Sequence, residues 1–276
     1  MKETFPPYSV LYSIYEKERP EWLCESVDSM LGQTVKPNEI VFVKDGPLTP
    51  ELEDALSLYD AENPGLFKFV GYPDNQGLGY ALQQGVLACS NEIIARMDTD
   101  DYSFPDRMEL QLRQMRDDDL DMVGSQIIEF ITSPDKPIAK TDLPESMEAI
   151  QRYSKRRNPF RHSAIVFNRD KVLEVGNYSS NFLFFEDWDL FNRMLAAGDR
   201  AENNSKALVG VRVNEDFYGR RGSKDYLPFI WRFKKEQLRN GYFTIIDFFM
   251  SFIPHAIVCV MPTNLRAWVY RKLLRR

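Results

Sequence analysis

Cysteine is scarce: 276 residues hold three, Cys24, Cys89 and Cys259. Odd in number, far apart and set in apolar-patterned segments, they read as buried thiols, which excludes a disulfide framework or a cysteine-built metal site and fits a reducing cytoplasm. No apolar stretch reaches the roughly 20 residues needed to span a bilayer, so a processive synthase with its own membrane channel is not expected. The start, MKETFPPYSV, has no basic segment followed by an apolar one, so no secretory leader is expected either. Internal repeats and low-complexity segments are missing as well. A basic face is absent from most of the chain. Residues 228–276 carry nine Lys and Arg against two Asp and Glu, a net of +7, which leaves −13 for residues 1–227 out of a total of −6. An acidic body excludes nucleic acid as the main ligand. The short basic tail beside apolar sequence points to an anionic membrane surface.

What is present suits one large α/β domain with a small appendage: 43% of residues are hydrophobic and 28% charged. Apolar runs at 8–14, 39–43, 66–70, 92–97 and 121–123 predict strands. Between them, residues 20–31 place Leu23, Val27, Met30 and Leu31 on one helical face, with Pro20 suited to the first turn, and residues 51–59 and 78–88 repeat the pattern. This alternation predicts a mainly parallel sheet covered on both faces, with ligands at the carboxyl ends of its strands. Residues 132–144 read as a loop, followed by a helix from 145 to about 153, a strand at 164–167, and a helix from 186 to 197 that ends at Gly198. The last 50 residues read as helical, aromatic and basic, with breaks at Gly241, Pro254 and Pro262. We expect a boundary there, with residues 1–227 as the sheet domain and 228–276 as a helical appendage.

Three acidic groups follow predicted elements. The strand EIVFV runs into Lys44, Asp45 and Gly46, where a carboxylate beside a tight turn suits a nucleoside base or ribose, although Asp-Gly is also a common turn pair. The strand EIIARM runs into Asp98, Thr99, Asp100 and Asp101. Carboxylates crowded there repel unless a cation compensates, and hard oxygen ligands suit Mg²⁺ or Mn²⁺ holding a diphosphate; the other reading is a cap for the helix begun near Pro105. Glu186, Asp187 and Asp189 follow the aromatic run 182–185 at a helix start. Ordinary capping explains them as well as a base for an acceptor hydroxyl does. Arg220 and Arg221, in YGRRGSKDY, suit either a departing diphosphate or a solvated turn. His162, before a strand, is either a structural histidine or a contact to phosphate or acceptor.

In order along the chain, SVLYSIYEKE, MLGQTVKPNEIVFVKDGP, DNQGLGYALQQG and NEIIARMDTDDYSFPDRMELQ resemble the donor half of a family 2 glycosyltransferase of the GT-A type. NPFRHSAIVFNRDKVLEVGNY and FFEDWDLFNRMLAAG resemble its acceptor half, and the ending is similar to the amylovoran-type exopolysaccharide and capsule transferases. The resemblance implies that Asp45 binds the nucleoside, Asp98 the ribose or metal and Asp100 the metal. It makes Asp187 the base, with Glu186 the next candidate, and has Arg220 and Arg221 assist the leaving group. Two departures stand out: Lys44 precedes Asp45 where many members carry a second acid, and Leu82 and Gln83 stand where many carry an arginine.

The implied reaction is an inverting displacement that moves a hexose, glucose or galactose by analogy, from a UDP-linked donor to a lipid-linked oligosaccharide. Its place would be the inner face of the cell membrane. Two other classes fit the residues less well. A sugar nucleotidyltransferase usually shows a Gly-rich basic loop after the first strand, where this chain has Ile14, Tyr15, Glu16 and Lys17. A catalytically inactive carbohydrate-binding module would not need three separated acidic groups.

Overall fold

The computed structural model describes residues 4–213 and 224–261. Strands β1 (Tyr8–Ile14) and β2 (Glu39–Asp45) are buried along nearly their whole length, as expected of strands covered on both faces. With β3 (Phe67–Tyr72) and β4 (Ile93–Arg96) they form a parallel unit in the order β3-β2-β1-β4. The sheet continues past β4 through β8 (Val166–Asn168), β6 (Met122–Phe130) and β9 (Ala201–Arg212) to the short β5 (Tyr102–Ser103), with β7 (Ala139–Lys140) paired to β6. β8 runs antiparallel to both neighbours, whereas β6 and β9 are parallel.

Alternate residues of the strands feed two cores. On one face Val10, Tyr12 and Phe42 pack with α1 (Pro20–Leu31), α2 (Pro50–Glu62) and α4 (Arg107–Asp117). On the other, Leu11, Val41 and Val43 pack with α3 (Leu78–Ala88), α5 (Met147–Ser154), α6 (Arg169–Glu174) and α7 (Glu186–Ala197). Gly85 lets α3 lie against the sheet, since a Cβ there would stand 2.3 Å from a methyl of Leu11. The α7 helix ends as expected at Gly198, with φ of 94°.

Several expectations need correction. β6, expected to stop at 123, continues to Phe130 because β9 pairs with it throughout, with register shifts between Ser125 and Ile127 that blur the period of two. β9 itself goes unpredicted because its first half, AENNSK, is polar. β8 begins two residues late, since His162–Ala164 form a 3₁₀ turn.

At the C-terminal end, α8 (Leu227–Arg239) and α9 (Ile245–Val260) form a helical pair, and a capping box of Thr244 and Asp247 opens α9. Pro254 does not break α9: the carbonyl it leaves without a partner is that of Met250, which lies on the exposed side. No helix among the described residues is long and apolar enough to cross a membrane.

Candidate active site

The carboxyl ends of β1, β2 and β4 lie side by side, because β1 pairs in parallel with both others. At the end of β2, Asp45 is buried and both oxygens of its carboxylate are engaged. Oδ1 accepts from the Tyr72 hydroxyl (2.9 Å) and the Gln76 amide (2.7 Å), and Oδ2 accepts from the Gly77 amide (3.1 Å). Gly46 follows with φ of 85°, and a Cβ there would stand 2.9 Å from the Asn75 nitrogen. Asp45 therefore fastens the 75–77 loop across the mouth of β2, something its Asp-Gly pair alone did not indicate.

At the end of β4, the four residues 98–101 point in different directions. Asp98 is partly exposed and pairs with Arg96, which is 1% exposed. Asp101 turns inward and accepts the Arg212 backbone N–H at 3.0 Å, while Arg212 Nε donates to the Asp100 carbonyl at 3.0 Å. Burial, then the charges of Asp98 and Glu18, push the Asp100 carboxyl up to about 7. Burial and the Asp100 and Asp98 charges push Asp101 well above the usual carboxylate range. Glu18, from the loop after β1, is raised by burial while bonded to Thr99. These acids do not cap α4, whose N-cap is Asp106 without a side-chain cap.

Among the described residues no three His, Cys, Asp or Glu side chains enclose a metal. An ion that keeps water and substrate phosphates among its ligands asks for only one or two carboxylates. Asp98 and Asp100, hard oxygen donors on one short segment, fit such an ion.

The first turn of α7 supplies the facing side. Glu186 is 7% exposed, and burial together with Asp187 raises its carboxyl to about 8. Asp187 Oδ2 accepts from Asn158 Nδ2 (2.7 Å), and its Oδ1 accepts from the Trp188 backbone N–H (2.6 Å). Asp189 instead has a structural role: it pairs with Arg193 and accepts from Gln237, both at 2.9 Å. His162, half-buried, meets the Tyr178 hydroxyl through Nε2 at 2.9 Å, and burial plus the Arg96 charge hold it well below its ordinary pKa, hence neutral.

Arg96 joins the two halves. Burial alone would depress its guanidinium, but the ion pair with Asp98 outweighs burial and keeps it a cation. Its charge also reaches Asp100, Glu186 and His162. Arg96, Glu18, Asn158 and Tyr178 join the site without having been predicted from sequence. Only Arg96 carried a signal, a lone arginine within an apolar strand. Arg220 and Arg221 lie outside the described residues.

The model for glycosyl transferase family 2 matches residues 9–176. The UDP-Gal:alpha-D-GlcNAc-diphosphoundecaprenol beta-1,3-galactosyltransferase of Escherichia coli is 33% identical over 279 residues, covering 100% of this chain and 99% of that one. The amylovoran biosynthesis glycosyltransferase AmsE of Erwinia amylovora is 31% identical over 269 residues, covering 96% and 98%. Two solved structures share the fold. S. aureus TarS 1-349 in complex with UDP-GlcNAc has a TM-score of 0.68 at 16% identity, over 97% of this chain and 76% of that one. The mannosyltransferase PcManGT from Pyrobaculum calidifontis, in complex with GDP-Man and Mn²⁺, has a TM-score of 0.67 at 14% identity, over 98% and 76%. A family match over residues 9–176, relatives aligned nearly end to end and a sheet of GT-A architecture lead to one conclusion: this chain belongs to glycosyl transferase family 2.

Proposed function

We propose that this enzyme is an inverting hexosyltransferase that moves a sugar from a UDP-linked donor to a lipid-linked oligosaccharide during surface polysaccharide synthesis. The observation that carries this reading is Arg96: one buried cation lies within electrostatic reach of Asp98 and Asp100 on one side and Glu186 on the other. Carboxylates with two separate tasks, holding a nucleotide diphosphate and taking a proton, thus border one site. The E. coli relative, named for a UDP-galactose donor and a diphospholipid-linked GlcNAc acceptor, supports the choice of substrates.

In this reading Asp45 and the loop it fastens receive the nucleoside. Asp98 and Asp100 hold Mg²⁺ or Mn²⁺, with Asp98 also within reach of the ribose. When bound, that ion neutralises charge on the diphosphate. Asp187 takes the acceptor proton as the hydroxyl attacks the anomeric carbon from the face opposite the nucleotide, and Glu186 is the alternative base. His162 serves the donor side as a neutral hydrogen-bonding group, and Arg220 and Arg221 assist the leaving diphosphate.

We assign residues 1–227 to the transferase domain and 228–276, of which 262–276 lie outside the described residues, to an appendage that rests on the inner face of the membrane. Ile246, Phe249, Met250, Ile253, Ile257 and Val260 form one exposed apolar stripe on α9, and the basic sequence after it suits anionic lipid. The experiment that tests the assignment is incubation of the pure protein with Mn²⁺ and a panel of sugar nucleotides, with and without lipid-linked acceptors. Acceptor-dependent release of UDP from UDP-galactose or UDP-glucose is expected. Absence of nucleoside diphosphate release from every donor would leave the inactive-module reading standing.

A further inference from the structure

Asn158 lies in the loop between α5 and the 3₁₀ turn, and both ends of its amide are committed. Its Oδ1 accepts the Phe160 backbone N–H at 3.2 Å, and its Nδ2 donates to Asp187 Oδ2 at 2.7 Å. A flipped amide would set two oxygens against each other at the carboxylate and two N–H groups at Phe160, so the bonding pattern fixes the orientation. The loop is held in turn. The Pro159 carbonyl accepts from Asn203 Nδ2 at 3.0 Å, and the buried Phe160 packs edge-on against Phe191 of α7, with ring centroids 5.2 Å apart. The helix that carries Asp187 therefore also positions the amide that binds it.

A carboxylate base must offer a lone pair in a defined direction while staying ionised. Asn158 and the Trp188 N–H bond different oxygens, which fixes the plane of the carboxylate. A donated N–H favours the charged form. Glu186 on the same helix, the Tyr178 hydroxyl and the Arg96 guanidinium from β4 are among the ionisable groups around this turn.

We infer that Asn158 is the positioning residue of the base, holding Asp187 in the orientation and ionised state in which it takes the acceptor's proton. The inference rests on the reading of Asp187 as base. The test compares kcat, donor KM and the pH profile of kcat for Asn158→Asp, Asn158→Ala and Asp187→Asn. Asn158→Asp retains an acceptor for the Phe160 N–H, so the loop stays anchored, while the donor to Asp187 is replaced by a second carboxyl. Its kcat should fall by about 10- to 100-fold at neutral pH with donor KM little changed. Its acid limb should move up by about one pH unit or more, because two carboxyls then share a proton. Asn158→Ala should lower kcat without that added charge, and it carries the test alone if the Asp variant does not fold. Folded Asn158 variants with unchanged kcat and acid limb, beside an inactive Asp187→Asn, would reduce Asn158 to a loop anchor and overturn the inference alone. Full turnover in Asp187→Asn would overturn the inference and the assignment of the base together.

Discussion

Phe185 and Phe233 stack face to face, with ring centroids 4.8 Å apart and planes 7° from parallel. Lys234 completes the contact, its Nζ 3.6 Å from the centroid of the Trp188 ring. Residues 185 and 188 flank Glu186 and Asp187, so α8 buttresses the first turn of α7. Phe233→Ala should cost about 3–5 kcal/mol in thermal or chemical unfolding, and turnover should fall even on a soluble acceptor. Unchanged stability and turnover would show that α8 merely rests on the domain.

The metal reading rests on two hard oxygen donors, Asp98 and Asp100, on the short segment after β4, where Asp98 and Glu18 crowd the Asp100 carboxyl. Asp100→Asn should weaken Mn²⁺-dependent binding of UDP, read by calorimetry, and a chelator should abolish activity of the unaltered enzyme. Full activity in excess chelator would contradict it.

The parallel half of the sheet was legible because β1, β2 and β4 are buried on both faces and read as apolar runs, of which β2 and β4 lead into chemistry-bearing residues. Asp45, Asp98 and Glu186 all occupy the element ends where sequence placed them. The rest depends on partners distant in sequence. β9 is polar where it joins the sheet, and its register shifts hide the alternation. Asn158 becomes informative only once the fold brings it to Asp187, 29 residues away. Arg96, inside a strand, shows its role only when the two acidic groups are seen on either side of it.

Protonation of Glu186 links stability to pH. Its carboxyl titrates near 8 in the folded chain against an ordinary value of 4.5, because of burial first and Asp187 next. Between those values the folded chain binds a proton that the unfolded chain has lost, so this stabilisation is complete below the lower value and fades as pH rises through the upper one. Asp100 acts in the same direction. His162, held neutral by burial, acts in the opposite direction, so the Glu186 contribution is read as a difference: with chelator present, Tm of the unaltered chain minus that of Glu186→Gln should fall as pH rises from about 5 to about 8. A difference that stays constant or climbs across this range would contradict the assignment.

The exposed stripe on α9 predicts membrane binding in two parts, apolar and ionic. The intact protein should float with anionic liposomes at low salt and release as salt rises, and a Phe249→Asp, Ile253→Asp double variant should stay behind while keeping turnover on a soluble acceptor. Equal flotation of the double variant would remove α9 from the contact.

The most direct measurement is NMR of the anomeric centre during transfer from UDP-α-galactose or UDP-α-glucose to a lipid-linked acceptor, with the intact chain and with Asp187→Asn side by side. The account predicts a β-linked product from the intact chain. It also predicts a loss of turnover of about a hundredfold or more in the variant, whose donor binding survives. An α-linked product, or near-normal turnover by Asp187→Asn, would contradict it.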